Sequence, residues 1–166
     1  TPDGEAYRAF NPATHAWESW SWQHTSLQVQ RWAAAIGAMQ LPQAARIAIL
    51  LPNGLNALCA DQSALATGCV PVPLHAIDNP GSIAYSLADC EAAMLILGQR
   101  AQWEKICAVG TPFPALRAVV FTDEDAAASA ADKADALLPQ DGPLVGSLAQ
   151  WLEGAAHSPS HATWPT

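Results

Sequence analysis

Charged side chains are scarce in this sequence. Only 13% of its 166 residues are Asp, Glu, Lys or Arg, which is about half the usual share for a globular protein. Seven Lys and Arg stand against 15 Asp and Glu, so the formal net charge is −8. This balance argues against nucleic acid and against an anionic membrane surface as partners, because both need clustered bases. It also suggests that another domain or subunit covers part of the surface.

Long hydrophobic runs are missing as well. The most apolar stretch, residues 47–51, has the length of a strand, whereas a membrane span needs roughly 20 apolar residues. No signal peptide is visible, so we expect a cytoplasmic protein. Four cysteines are present, Cys59, Cys69, Cys90 and Cys107, and their spacing matches no zinc or redox pattern. We interpret them as small buried hydrophobic residues in a reducing compartment.

Glycines are too widely scattered to form a phosphate-binding loop. The sequence has no Gly-x-Gly-x-x-Gly pattern, and neither of its lysines, Lys105 and Lys133, follows a glycine as in a Walker loop. The setting of a serine nucleophile, Gly-x-Ser-x-Gly, is also absent around Ser63, Ser82 and Ser147. The sequence therefore predicts that this chain carries no complete catalytic site.

What the sequence does contain is an alternation of apolar runs with helical patterns. Residues 46–51, 93–97 and 117–121 are continuous apolar runs typical of strands buried on both faces. Residues 69–74 predict at best a short strand or an edge strand, because Pro71 and Pro73 lack an N–H. Helices are predicted over residues 21–39, 55–67, 79–90 and 99–108, with Ser21, Asn53 and Asn79 as caps. This order predicts an α/β fold with a parallel sheet and helices on both faces.

The two ends of the chain are expected to differ from this middle part. Residues 1–15 read as irregular, residues 17–22 as a short strand with one buried face, and residues 144–152 as a final helix. Six acids between residues 123 and 141 predict a solvated loop or surface helix. We therefore expect one subdomain over residues 1–152, with an acidic loop at about 123–141, and a linker or tail over residues 153–166.

Few side chains stand out as candidates for a binding site. His75 follows a predicted strand, where doubly wound folds place their ligands, so it is the candidate substrate-binding residue, although an ordinary loop role stays open. Asp61 is expected in a structural role within a helix. The other candidates have structural or solvated interpretations. They are His24 in a first helical turn, the pair His157 and His161 with Pro159 between them, and Asp123, Glu124 and Asp125, where a magnesium site is the alternative.

The ordered motifs of residues 15–121 resemble the N-terminal portion of the AMP-forming acyl-CoA synthetases, within the adenylate-forming superfamily. The segments that carry the resemblance are Ser21-Trp22 with the following helix, Arg46-Ile-Ala-Ile-Leu-Leu-Pro-Asn53, Thr67-Gly-Cys-Val-Pro-Val-Pro-Leu74, Ile83 to Asp89, and Ala92 to Leu97. The helix containing Arg31-Trp32 and the segment of Pro71 to Leu74 look most like the long-chain fatty acid–CoA ligases.

The resemblance implies a parent enzyme that joins a fatty acid to coenzyme A, using ATP and magnesium and releasing AMP and diphosphate. The family's phosphate loop, magnesium residues and catalytic lysine would lie beyond residue 166, so no catalytic, cofactor or metal residue is carried over. The chain is expected to be inactive alone, with the rest of the parent enzyme as partner and a homo-oligomer conceivable. The alternatives are a stand-alone interaction or regulatory module descended from such an enzyme, and an unrelated flavodoxin-like domain.

Overall fold

The computed structural model describes residues 1–11, 14–75, 77–123 and 142–156. Within these residues the first half of the chain forms a hairpin followed by helices and strands in alternation. The elements are β1 (Glu5–Asn11), β2 (Ala16–Ser21), α1 (Trp22–Ala38), β3 (Arg46–Leu50), α2 (Leu55–Ala66) and β4 (Val70–Pro73). The second half continues with α3 (Pro80–Asp89), β5 (Met94–Leu97), α4 (Arg100–Cys107), β6 (Ala118–Phe121), β7 (Leu144–Ser147) and α5 (Leu148–Ala156).

A five-stranded parallel sheet organises the fold, in the order β4-β3-β5-β6-β7. The registers pair Ile47 of β3 with Met94 of β5, and Met94 in turn with Ala118 of β6. Every residue of β5 and β6 is buried, which explains why these strands show no apolar–polar alternation in the sequence. The predicted α/β fold with a parallel sheet is confirmed.

Helices cover both faces of this sheet. On one face, Trp32 and Ile36 of α1 and Cys59 of α2 pack against side chains of β3, β5 and β6, and Trp151 of α5 joins them. On the other face, Leu87 of α3 and Ile106 of α4 pack against the alternate residues of the same strands. The two cores follow from the period-two alternation of side chains across a strand.

Local signals explain where the helices begin and end. Ser21 accepts a hydrogen bond from the His24 N–H, and Asn79 accepts one from the Ser82 N–H with Pro80 at the first helical position, so both predicted caps are confirmed. Gly68 follows α2 with φ +74°, as a C-terminal glycine does. The predicted cap Asn53 is wrong, because Gly54 occupies the N-cap position and no side chain caps α2.

The N-terminal segment is not irregular. Residues 5–11 form β1, which pairs antiparallel with β2 in a separate two-stranded sheet. Aromatic cross-strand pairs hold it together: Tyr7 lies opposite Trp20 with ring centroids 5.8 Å apart, and Phe10 lies opposite Trp17 at 5.7 Å. The predicted buried face of β2 is wrong, since Trp17 is 61% exposed and Trp22 lies in α1 at 60% exposed.

The predicted helix over residues 144–152 is also wrong at its start. Leu144–Ser147 form β7, which pairs in parallel with β6, and the helix begins only at Leu148. Ser147 and Gln150 exchange hydrogen bonds between side chain and backbone at this boundary, so they start the helix. The predicted acidic loop beyond Asp123 and most of the predicted tail lie outside the described residues. None of the helices seen in the described parts is long and apolar enough to cross a bilayer.

Candidate functional site

The carboxyl ends of the parallel strands form the edge of the sheet where a ligand site is expected. The helix that follows β3 packs on one face of the sheet, whereas the helix that follows β5 packs on the other. This arrangement leaves a crevice between the ends of β3 and β5. Two clefts open at this edge, and the hairpin of β1 and β2 contributes to both.

The larger opening, which we call the β4 cleft, has a volume of about 660 Å³, within the usual range for small-molecule sites. Apolar side chains form much of its wall: Ile49 and Leu51 come from β3 and the residue after it, and Leu58 from α2. Four residues with polar side chains from four separate parts of the fold also line it. They are Tyr7, Asn53, Asp61 and His75.

The smaller opening, which we call the hairpin cleft, has a volume of about 370 Å³. Asn11 and Glu18 of the hairpin lie on one side, where the Asn11 amide donates to the Glu18 carboxylate at 2.6 Å. Thr122 and Asp123 follow β6 on the other side, where the Thr122 hydroxyl donates to the Asp123 carboxylate at 2.9 Å. Both sides suit a polar ligand group better than a hydrocarbon chain.

A short wall, formed by Leu51 to Gly54, separates the two clefts and belongs to both. It leads directly into α2, whose first turn has no side-chain cap. Free N–H groups at a helix N-terminus favour negative charge nearby. This electrostatic bias acts on the same edge of the sheet as the two clefts.

The structure brings together two of the residues singled out in the sequence. His75 is exposed and lies two residues after β4, on the wall of the β4 cleft, as its position after a strand predicted. Asp61 lies on the wall of the same cleft, where its half-buried carboxylate accepts a hydrogen bond of 2.9 Å from the Gln62 amide. The role of His75 in binding stays a prediction.

The remaining candidates have structural explanations or lie elsewhere. His24 is exposed in the first turn of α1, as expected. The Ser63 hydroxyl is buried and donates to the Ala60 carbonyl at 3.1 Å, and Ser147 caps α5. Asp123 is on the wall of the hairpin cleft, whereas Glu124, Asp125, His157 and His161 lie outside the described residues.

The cysteines are free thiols, but not all of them are buried as predicted. Cys59 and Cys69 are buried, Cys90 is half-buried, and Cys107 is exposed at the end of α4. Burial raises the pKa of Cys59 from 9.0 to about 11 and also raises the pKa of Cys90, where Arg46 acts in the opposite direction. Cys59 and Cys90 therefore lack the lowered pKa of a reactive cysteine nucleophile.

The sequence reasoning missed the contribution of the hairpin to the site. Tyr7, Trp20 and Glu18 reach the two clefts only because β1 pairs with β2 beside the sheet edge. The opposed aromatic pairs of the hairpin were the available signal. In the parts of the chain that the structure describes, no group of three metal-ligating side chains occurs.

Comparison with protein families gives one match that covers nearly the whole chain. Residues 1–162 match the family described as AMP-binding enzyme. Among curated proteins, no significant sequence match is found.

Solved structures with the same fold are numerous. The N-terminal domain of FACL13 from Mycobacterium tuberculosis has a TM-score of 0.67 at 20% identity, over 99% of this chain and 34% of that one. A fatty acyl CoA synthetase from Mycobacterium tuberculosis has a TM-score of 0.64 at 19% identity, over 96% and 26%. The A domain of a carboxylic acid reductase from Segniliparus rugosus, solved with AMP and a carboxylic acid, has a TM-score of 0.69 at 14% identity, over 99% and 28%. The chain thus spans about a quarter to a third of these structures.

Proposed function

This chain belongs to the AMP-binding enzyme family, and from that premise we propose that it is the N-terminal part of an ATP-dependent fatty acid–CoA ligase. The proposed enzyme first joins the carboxylate to the AMP moiety of ATP and releases diphosphate. It then transfers the acyl group to the thiol of coenzyme A and releases AMP. The family match carries the proposal, and the fatty acyl CoA synthetase among the similar structures supports the choice of acid.

In this proposal the described residues supply scaffold and one wall of the acid site. The β4 cleft, with its apolar side chains and His75 at the rim, is the wall. In this proposal the chain does not hold ATP or magnesium by itself. The sequence has no glycine-rich phosphate loop, and the described residues include no group of three metal-ligating side chains. We assign ATP, magnesium and coenzyme A to the remainder of the enzyme.

Exposed apolar side chains support the proposal that a partner covers part of this surface. Large apolar side chains are exposed on the hairpin and at the start of α1, namely Phe10, Trp17, Trp22 and Leu27. Apolar area of this kind is commonly covered by another domain or subunit. We assign it to the rest of the parent enzyme, with a homo-oligomer as the competing occupant, which light scattering of the chain would detect. The free thiols fit a cytoplasmic location.

Two measurements test this function. The 166-residue chain, given ATP, magnesium, a fatty acid and diphosphate, should show no exchange of label between diphosphate and ATP, and clear exchange would refute its inactivity. The protein encoded by the complete reading frame should catalyse this exchange and form acyl-CoA. If the frame encodes only the chain, the stand-alone module replaces the ligase.

His75 offers a sharper test in the active protein. Because His75 lines the acid site in this proposal, His75→Ala should raise KM for the acid several-fold and leave KM for ATP unchanged. His24→Ala is the matched control, since His24 is also an exposed histidine but lies outside both clefts. Equal effects of the two substitutions would remove His75 from the site.

A further inference from the structure

The β4 cleft is not a plain hydrocarbon slot. Its apolar side chains stand beside four polar side chains, which come from β1, the segment after β3, α2 and the segment after β4. Asp61 carries a carboxylate, whose one hydrogen bond in the described residues comes from the amide of its neighbour Gln62. Tyr7, whose ring contacts that of Trp20, also lines this cleft.

An aliphatic chain that bears a hydrogen-bond donor fits this wall better than an unsubstituted chain does. Seating hydrocarbon against Asp61 takes water away from a half-buried carboxylate and returns no hydrogen bond. A ligand group that donates a hydrogen bond replaces that water, and a protonated amine adds a charge opposite to that of the carboxylate. The site then discriminates between acids because a ligand without a donor leaves the Asp61 carboxylate without a hydrogen-bond partner in place of water.

We propose that the β4 cleft selects a carboxylic acid whose chain bears a hydrogen-bond donor, with an amine preferred to a hydroxyl. The selecting residue is Asp61, and Tyr7, Asn53 and His75 are the other polar contacts. This inference rests on the proposed function for the identity of the ligand as an acid. It goes beyond that function by naming the class of acid.

Calorimetric titration of the 166-residue chain tests the preference directly. The ligands are caproic acid, its terminal-hydroxyl analogue and its terminal-amino analogue, which share one chain length. We expect the amino acid to bind about tenfold more tightly than caproic acid, with the hydroxy acid between them, because one charge-assisted hydrogen bond is worth roughly this factor. Equal affinities, or no binding of any of the three, would overturn the proposal.

A variant and a matched control assign the preference to its residue. Asp61→Asn should bring the amino and unsubstituted acids within about twofold of each other, and a preference that survives this substitution would overturn the proposal. Asp89→Asn is the control, because Asp89 is a helix aspartate that contacts a tyrosine, Tyr85, outside the cleft. It should keep the tenfold ratio, and circular dichroism confirms that both variants fold.

The outcome is separable from that of the proposed function. Label exchange in the complete enzyme with unsubstituted fatty acid, at the same rate as with the amino analogue, would refute only the selection by Asp61. A complete enzyme that exchanges with none of these acids would refute the ligase, whereas the titration of the chain would still decide what the β4 cleft binds.

Discussion

The turn between α3 and β5 provides a stability test away from the site, because three interactions of different size meet there. Arg46, at the start of β3, donates from Nε to the Cys90 carbonyl and from Nη2 to the Glu91 carboxylate at 2.8 Å. Glu91 itself has φ +49°, a conformation that favours glycine. Substitutions at Arg46 and Glu91 therefore distinguish the contributions of the ion pair, the carbonyl hydrogen bond and the backbone strain to the free energy of unfolding.

The magnitudes follow from exposure. The side chains of Arg46 and Glu91 are 36% and 73% exposed, so Glu91→Gln should cost only about 0.5 kcal/mol. Glu91→Gly loses the same pair but relieves a left-handed conformation that costs about 1 kcal/mol, so its stability should equal or slightly exceed that of the native chain. Arg46→Met leaves the Cys90 carbonyl without its side-chain donor and should cost about 2 kcal/mol.

Urea unfolding followed by tryptophan fluorescence measures all three variants. From the most to the least stable protein, the expected order is Glu91→Gly, native, Glu91→Gln and Arg46→Met. In thermal unfolding, Arg46→Met should lower Tm by about 4–8 °C. If Arg46→Met costs no more than Glu91→Gln, the hydrogen bond to the Cys90 carbonyl contributes nothing. If Glu91→Gly is the less stable of the two Glu91 variants, the strain assigned to Glu91 is absent.

Two further predictions concern the core. Burial raises the pKa of Cys59 from 9.0 in the unfolded chain to about 11 in the folded one, so the unfolded state releases the thiol proton first as the pH rises. The stability due to Cys59 is therefore complete below pH 9 and decreases by about 1–2 kcal/mol up to pH 11. Cys59→Ala should lack this part of the alkaline loss in urea titrations, and parallel losses in both proteins would contradict the assignment. Trp32→Ala should lower the free energy of unfolding by about 3–5 kcal/mol, because Trp32 is 2% exposed and packs edge-on against Trp151, with ring centroids 5.7 Å apart. Trp17→Ala, at an exposed position, should lower it by less than about 1 kcal/mol. Similar losses for the two variants would refute the packing argument.

The central α/β pattern was predictable because its signals are local. Ser21 and Asn79 cap their helices through their own side chains. The strands β3, β5 and β6 contain consecutive apolar residues, whereas a half-buried strand would alternate apolar and polar residues. Such features depend on few neighbours, and therefore the sequence contains them directly.

The features that were missed depend on distant partners. Residues 5–11 become a strand through cross-strand contacts such as Tyr7 with Trp20, and Leu144–Ser147 become a strand because β6 offers an edge. Predicting the β4 cleft needs both local signals and tertiary contacts. The place of His75 at the cleft was predictable from its position after β4, whereas tertiary packing brings Tyr7 and Asp61 to the same wall. Periodicity alone contains no such information.

The prolines of β4 have a further consequence for how the sheet aligns. The N–H groups of Val70 and Leu74 donate inward, to the carbonyls of Ala45 and Ile49 on the β3 side. Pro71 and Pro73 occupy the odd positions between them, so their nitrogens face away from β3, where no donor is needed. Sliding β4 by one residue would turn both prolines toward β3 and abolish donors that the ladder requires. The two proline rings thus permit only one register between β4 and β3. They also leave the outer edge of β4 without the N–H donors that a strand from another molecule would need to extend the sheet there.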